Sequence, residues 1–242
     1  MTLQRGAAFH PRRDRRRLAR ALFLMGVAAV TTAVPRAQDV RPPAATLSRP
    51  VTPTKAVDAD GFIRRWLVLE PIKTGGTLAD SAVRTLVATE HFPAQLQALP
   101  RDGDRVTAGG AELTWHAVDT ALYNVNLYHF AYALSRPTSN VLFWAVTVVQ
   151  APRDMTEVRL AIGSNAASVW WVNGEEVIGL FNDRQSVIDD GVSRRLTLKR
   201  GANVVRAAIV NGGGATDFCA RFLDAQDRPL TTLSVALPAR PR

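Results

Sequence analysis

The chain has 242 residues, a single cysteine and a formal net charge of +9. Residues 1–37 hold eight Arg against one Asp, a net of +7, so residues 38–242 carry only +2. The basic balance therefore belongs to the N-terminal segment and gives no ground for a nucleic-acid partner. One thiol excludes an internal disulfide, and no cysteine follows the N-terminal apolar run to take a lipid anchor.

In chain order, Arg12, Arg13, Arg15, Arg16, Arg17 and Arg20 precede a short apolar run, Ala21 to Val30, and then small residues suited to cleavage after Ala33 or Ala37. This pattern predicts a signal peptide over 1–37 and export to the periplasm, the cell surface or the medium. The arginine pairs are a loose match to twin-arginine export. An uncleaved membrane anchor is the alternative, but the apolar core is shorter than the ~20 residues of a comfortable span. Residues 38–60, with Pro42, Pro43, Pro50 and Pro53 among small polar residues, read as a linker. The folded domain is expected to cover 61–234, with a tail at 235–242.

Phe62 to Leu69 reads as a first strand, closed by Pro71 and Gly75-Gly76. Leu78 to Ala88 is the one credible helix, and Pro93 to Gly110 reads as loop. Tyr128, Phe130, Tyr132 and Leu134 alternate with smaller or polar residues, the period of a half-buried strand. Val141 to Val149 is more uniformly apolar, which suits a central strand. Short strands follow at Val158 to Ile162, Val169 to Val172, Arg195 to Leu198, Asn203 to Val210 and Phe218 to Leu223. Asn173-Gly174 has the chemistry of a tight hairpin turn, because both residues accept positive φ. Many short strands separated by turn signals predict an all-β fold, a β-sandwich of jelly-roll type with at most one short helix.

Trp66-Leu-Val-Leu69 followed by Pro71, Phe130-Ala-Tyr-Ala133, Trp171-Val-Asn-Gly174, Arg200-Gly-Ala-Asn203 and Ala220-Arg-Phe-Leu-Asp224 together resemble the galactose-binding-like jelly rolls attached to secreted acetyl xylan esterases and glycoside hydrolases. The resemblance runs over 61–234. It implies a non-catalytic module that binds a sugar or polysaccharide.

The residues themselves speak against hydrolytic chemistry. No Gly-x-Ser-x-Gly pentapeptide is present. His91, His116 and His129 form no assignable triad and read as surface or loop residues. The adjacent pairs Glu175-Glu176 and Asp189-Asp190 sit in turns, and adjacent strand side chains point to opposite faces, so neither is a natural acid/base couple. Transition-metal spacing is absent. A structural calcium ion is compatible with oxygen ligands from Asn182-Asp183 or Asp189-Asp190.

Recognition of sugar needs an aromatic platform and polar forks. Trp115, Trp170 and Trp171 are the candidate platforms. Trp170 and Trp171 are strand neighbours and are expected to face opposite sides, one inward and one outward. Trp144 reads as core. Asn182, Asp183, Arg184, Asn211 and Asp217 are the candidate polar partners, with turn or strand-end roles as the alternative. The function expected is thus an exported carbohydrate-binding module. The alternatives are a protein-interaction module docking a secreted enzyme or envelope complex and, third, an acetyl xylan esterase-related protein.

Overall fold

The longest apolar runs of the sequence become the longest strands. The computed structural model describes residues 46–75, 80–181 and 187–238; the segment read as a signal peptide lies outside them. In chain order the elements are β1 (Leu47–Ser48), β2 (Thr54–Ala56), β3 (Arg65–Leu69), β4 (Ile72–Lys73), α1 (Asp80–Ala88), β5 (Arg105–Ala108), β6 (Ala111–Thr120), β7 (Val125–Asn126), α2 (Leu127–Ala133), β8 (Val141–Ala151), β9 (Met155–Ser164), β10 (Ala167–Val172), β11 (Glu175–Leu180), β12 (Gly191–Val192), β13 (Leu196–Leu198), β14 (Gly201–Asn211), β15 (Asp217–Leu223) and β16 (Ser234–Ala236).

Two antiparallel sheets result. The larger runs β1-β6-β3-β8-β14-β10-β11, with β2, β4, β5 and β16 attached at its margins. The smaller runs β12-β9-β15-β7, with β13 beside β9. At the centre of the larger sheet, β8 and β14 pair without interruption from Val141↔Asn211 to Ala151↔Gly201.

Strand alternation sends side chains to both faces of the larger sheet, and both faces are covered. One face packs on the smaller sheet through Trp66, Phe143, Trp170, Phe218 and Phe222. Trp66 meets Trp170 and Phe218 edge to face, at centroid distances of 6.0 and 5.0 Å. The other face carries Trp115, Trp144 and Trp171 beneath α1 and the segment after it, with Phe92 set edge-on against Trp115 and Trp144. The predicted sandwich is present, with a helix-and-loop layer added to its back.

Local chemistry explains the turns. Asn173 (φ 53°) and Gly174 (φ 87°) form the two-residue link between β10 and β11, both in the left-handed region that this hairpin requires. Gly163 is required for space: a Cβ there would lie 2.1 Å from the Val187 carbonyl oxygen.

Four expectations are corrected. The 38–60 stretch is not all linker, since β1 pairs with β6 and β2 with β16 inside it. Pro50 and Pro53 interrupt this segment without expelling it, because proline is tolerated beside short edge strands. Buried Arg65 fastens it further, donating to the Thr52 carbonyl at 2.8 Å and its hydroxyl at 3.1 Å. At the other end, β16 carries the sheet past residue 234. The loop expected over 93–110 contains β5, which pairs with β6. Finally, the strand expected over Tyr128 to Leu134 is the helix α2, so the described residues hold two short helices instead of at most one. Asn126 caps α2 by accepting a hydrogen bond from the His129 backbone N–H at 2.7 Å. Leu127, Phe130 and Ala131 are its buried residues, at helical spacing i, i+3, i+4.

Candidate functional site

α2 stands beside an open stretch of β6 and faces the first described residues of the chain across it. Between them lies a groove of about 820 Å3, within the range of about 300–1,000 Å3 usual for ligand pockets. Residues 46–49 form one wall, and His129, Phe130 and Tyr132 to Leu134 of α2 and its end form the other. The floor is Thr114 and His116 to Val118 of β6, with Asp102 and Gly103 at one side.

The groove exists because the sheet edge is left partly open. β1 covers β6 at Asp119 and Thr120, while Trp115 exchanges backbone hydrogen bonds with Gly103 and Asp104. Between these, the N–H of Ala117 donates to the Asp102 carboxylate at 2.9 Å. A side chain thus occupies a position that a neighbouring strand would take, which blunts the edge.

The polar groups of the groove are organised in pairs. Arg49 donates to the second Asp102 oxygen from Nε at 3.2 Å and from Nη2 at 2.5 Å. Burial works against ionisation of Asp102, yet the Ala117 N–H and the Arg49 guanidinium outweigh it and hold the carboxyl below its ordinary range. On the floor, His116 Nε2 lies 3.3 Å from Oε1 of buried Glu70. Glu70 Oε2 accepts from Arg136 at 2.6 Å and from the Thr114 N–H at 3.2 Å, so both oxygens of this carboxylate have partners. Phe130 packs edge-on against the His116 ring, at 5.6 Å.

Tyr132 supplies an open aromatic face. It is 67% exposed, and its ring is parallel within 7° to that of Tyr128 one turn earlier on α2, at 6.3 Å. The groove therefore combines an exposed ring, a mostly apolar lining and hydrogen-bonded polar groups on its floor and at one side.

The tryptophans named from sequence lie elsewhere. Trp170 and Trp171 do point to opposite faces, but both faces are covered: they are 0% and 6% exposed, and Trp115 is 2% exposed. None is a surface platform, and Trp144 is core as expected. Asn182, Asp183 and Arg184 lie outside the described residues. Asn211 is buried and ties loops together, donating to the Thr138 carbonyl at 2.7 Å and accepting from the Gly213 N–H at 3.2 Å. Asp217 accepts from the Asn124 side-chain amide at 2.7 Å at the start of β15. Neither Asn211 nor Asp217 lines the groove. Of the carboxylates weighed for calcium, that of Asp189 is held by Arg221, and no cluster of three His, Cys, Asp or Glu side chains suited to a metal occurs among the described residues.

The residues that build the groove carried little sequence signal. The helical spacing of Leu127, Phe130 and Ala131 behind the capping Asn126 could have placed Tyr132 on a helix. Nothing local links Arg49 to Asp102, 53 positions away. Among the described residues no serine hydroxyl hydrogen-bonds to a histidine ring; His91 Nε2 is 2.8 Å from the Leu86 carbonyl oxygen.

What the fold and groove define is a class: a two-sheet antiparallel sandwich with an edge groove walled by a short helix. No family model and no curated protein matches the chain. Among solved structures it is similar to the PA14 domain of the MpAFP antifreeze protein (13% identity, 72% of this chain and 92% of that chain, TM-score 0.41). It is also similar to a structure described as the PA14 sugar-binding domain of an RTX adhesin (12% identity, 71% and 96%, TM-score 0.41). A third similarity is to a β-glucosidase from Kluyveromyces marxianus in complex with glucose (18% identity, 66% of this chain but 16% of that one, TM-score 0.37). At these TM-scores none of the likenesses carries an argument about ligand or chemistry.

Proposed function

We propose that the chain is an exported, non-catalytic module that binds carbohydrate in the groove between α2 and β6. The observation that carries the proposal is the pairing of the exposed Tyr132 ring with fixed polar groups, Asp102, Arg49 and His116, around one cavity of about 820 Å3. A pyranose has an apolar ring face and a rim of hydroxyls, so it stacks on an aromatic ring while its rim meets donors and acceptors. Ordered side chains at the rim lose little freedom on binding, which favours affinity. The basic, then apolar, then small-residue order of the N-terminal sequence supports export.

A thermal-shift screen of the full chain against mono-, oligo- and polysaccharides, with and without calcium, tests this. A saturating rise in Tm with one saccharide class is the expected result. No rise with any saccharide, joined to stoichiometric co-purification of a host protein, would replace the proposal with protein docking. That second reading is favoured by one observation, the exposed Leu122 and Tyr123 in the loop following β6.

A further inference from the structure

Building on the saccharide reading of the groove, we infer that the Arg49–Asp102 pair is a specificity element that reserves the groove for neutral sugars and turns away uronates and other anionic saccharides. Among the described residues lining the groove, the titratable side chains are Arg49, Asp102, His116, His129 and Tyr132. Arg49 donates to Asp102 from both Nε and Nη2. Behind the floor, Arg136 is committed to Glu70, which His116 also meets. The two guanidiniums are thus balanced by two carboxylates.

An incoming carboxylate would find each of the two guanidiniums already paired with a carboxylate. It would have to lose water without compensation, or compete with Asp102 for Arg49 while being repelled by the Asp102 charge. Asp102 is held in place by its other oxygen, which accepts the Ala117 N–H at the β6 edge. Stability does not require the pair: the Arg49 side chain is 79% exposed, and ion pairs of this kind add little. A neutral sugar meets none of these obstacles and gains hydrogen bonds from the charged rim.

The experiment is calorimetric titration of the full chain with neutral xylo- and gluco-oligosaccharides and with oligogalacturonate, at about 20 and about 500 mM NaCl, where screening differs strongly. Wild type should bind a neutral oligosaccharide with a Kd that changes less than about twofold between the two salts, and should bind oligogalacturonate at least about tenfold more weakly. Asp102→Asn keeps an acceptor for the Ala117 N–H but frees Arg49. It should raise the ratio of oligogalacturonate affinity to neutral-oligosaccharide affinity roughly two- to fivefold, at low salt only. A wild-type preference for oligogalacturonate, or an unchanged selectivity in Asp102→Asn, overturns the specificity role while leaving the groove a saccharide site. Absence of binding to every saccharide overturns both.

Discussion

Single residues divide into those that hold the sandwich and those that face the groove, and mutations separate the two. Trp171 packs in the layer behind the larger sheet, stacked on Trp144 at 5.6 Å. Trp171→Ala is expected to cost about 3–5 kcal/mol, read from urea unfolding. Tyr132 is exposed, so Tyr132→Ala should leave stability within about 0.5 kcal/mol. It should nevertheless weaken saccharide binding by about 0.5–1.5 kcal/mol, measured by titration. Equal losses of stability from the two variants would refute this division. Cys219 is a third case: burial first, and the nearby Asp189 charge second, push its thiol up to about 12. The folded protein should therefore leave Cys219 unlabelled by an aromatic disulfide reagent at pH 8, and rapid labelling without denaturant would contradict its placement. Sequence could not separate these roles, because a tryptophan in an alternating strand reads as exposed whenever the far face of its sheet is assumed to meet solvent. Here that face is roofed by α1 and Phe92, residues joined to it only in three dimensions.

At the scale of elements, legibility followed the range of the interactions. The Asn173-Gly174 hairpin and the central strand at Val141 to Val149 were readable because turn chemistry and a nearly uniform apolar run are local signals. The segment from Tyr128 to Leu134 was misread because its large residues satisfy both a two-residue alternation and a helical stripe, and tertiary packing decides between them. Asn126 is the local feature that tips the balance toward helix. Asn126→Ala should cost about 0.5–2 kcal/mol in unfolding experiments and should weaken saccharide binding as well, since α2 is one wall of the groove. A loss of stability with full binding would show that the wall does not depend on its cap. The strands β1 and β2 were hidden for another reason: two or three residues beside prolines carry no periodicity. What fixes them is partners far along the chain, Asp119 and Thr120 for β1 and Ser234 to Ala236 for β2.

Across the whole molecule, an ion-pair centre joins the N-terminal strands to the larger sheet. Arg65 gives Asp119 two hydrogen bonds, at 2.8 and 3.0 Å, and Lys55 of β2 lies 3.2 Å from the same carboxylate. Burial disfavours the charged form of Asp119, but Arg65 and then Lys55 outweigh it and keep the carboxyl below its ordinary range. A carboxyl depressed in the folded state stabilises the protein above the unfolded carboxylate pKa, and that stability is lost as pH falls through the folded value. Tm should accordingly be flat from neutral pH down to about pH 5 and fall below about pH 4. Asp119→Asn should lower the neutral plateau, because it strands a buried guanidinium, a change that costs about 3–5 kcal/mol. A variant as stable as wild type would remove this centre from the account.

The groove itself is tested most directly by amide NMR of the full chain, titrated with a neutral oligosaccharide. Shifts confined to residues 46–49, 102–103, 114–118 and 129–134, saturating together with one Kd, are the predicted result. Saturable shifts that map away from α2 and the open edge of β6, or none at all across neutral saccharides, would contradict it.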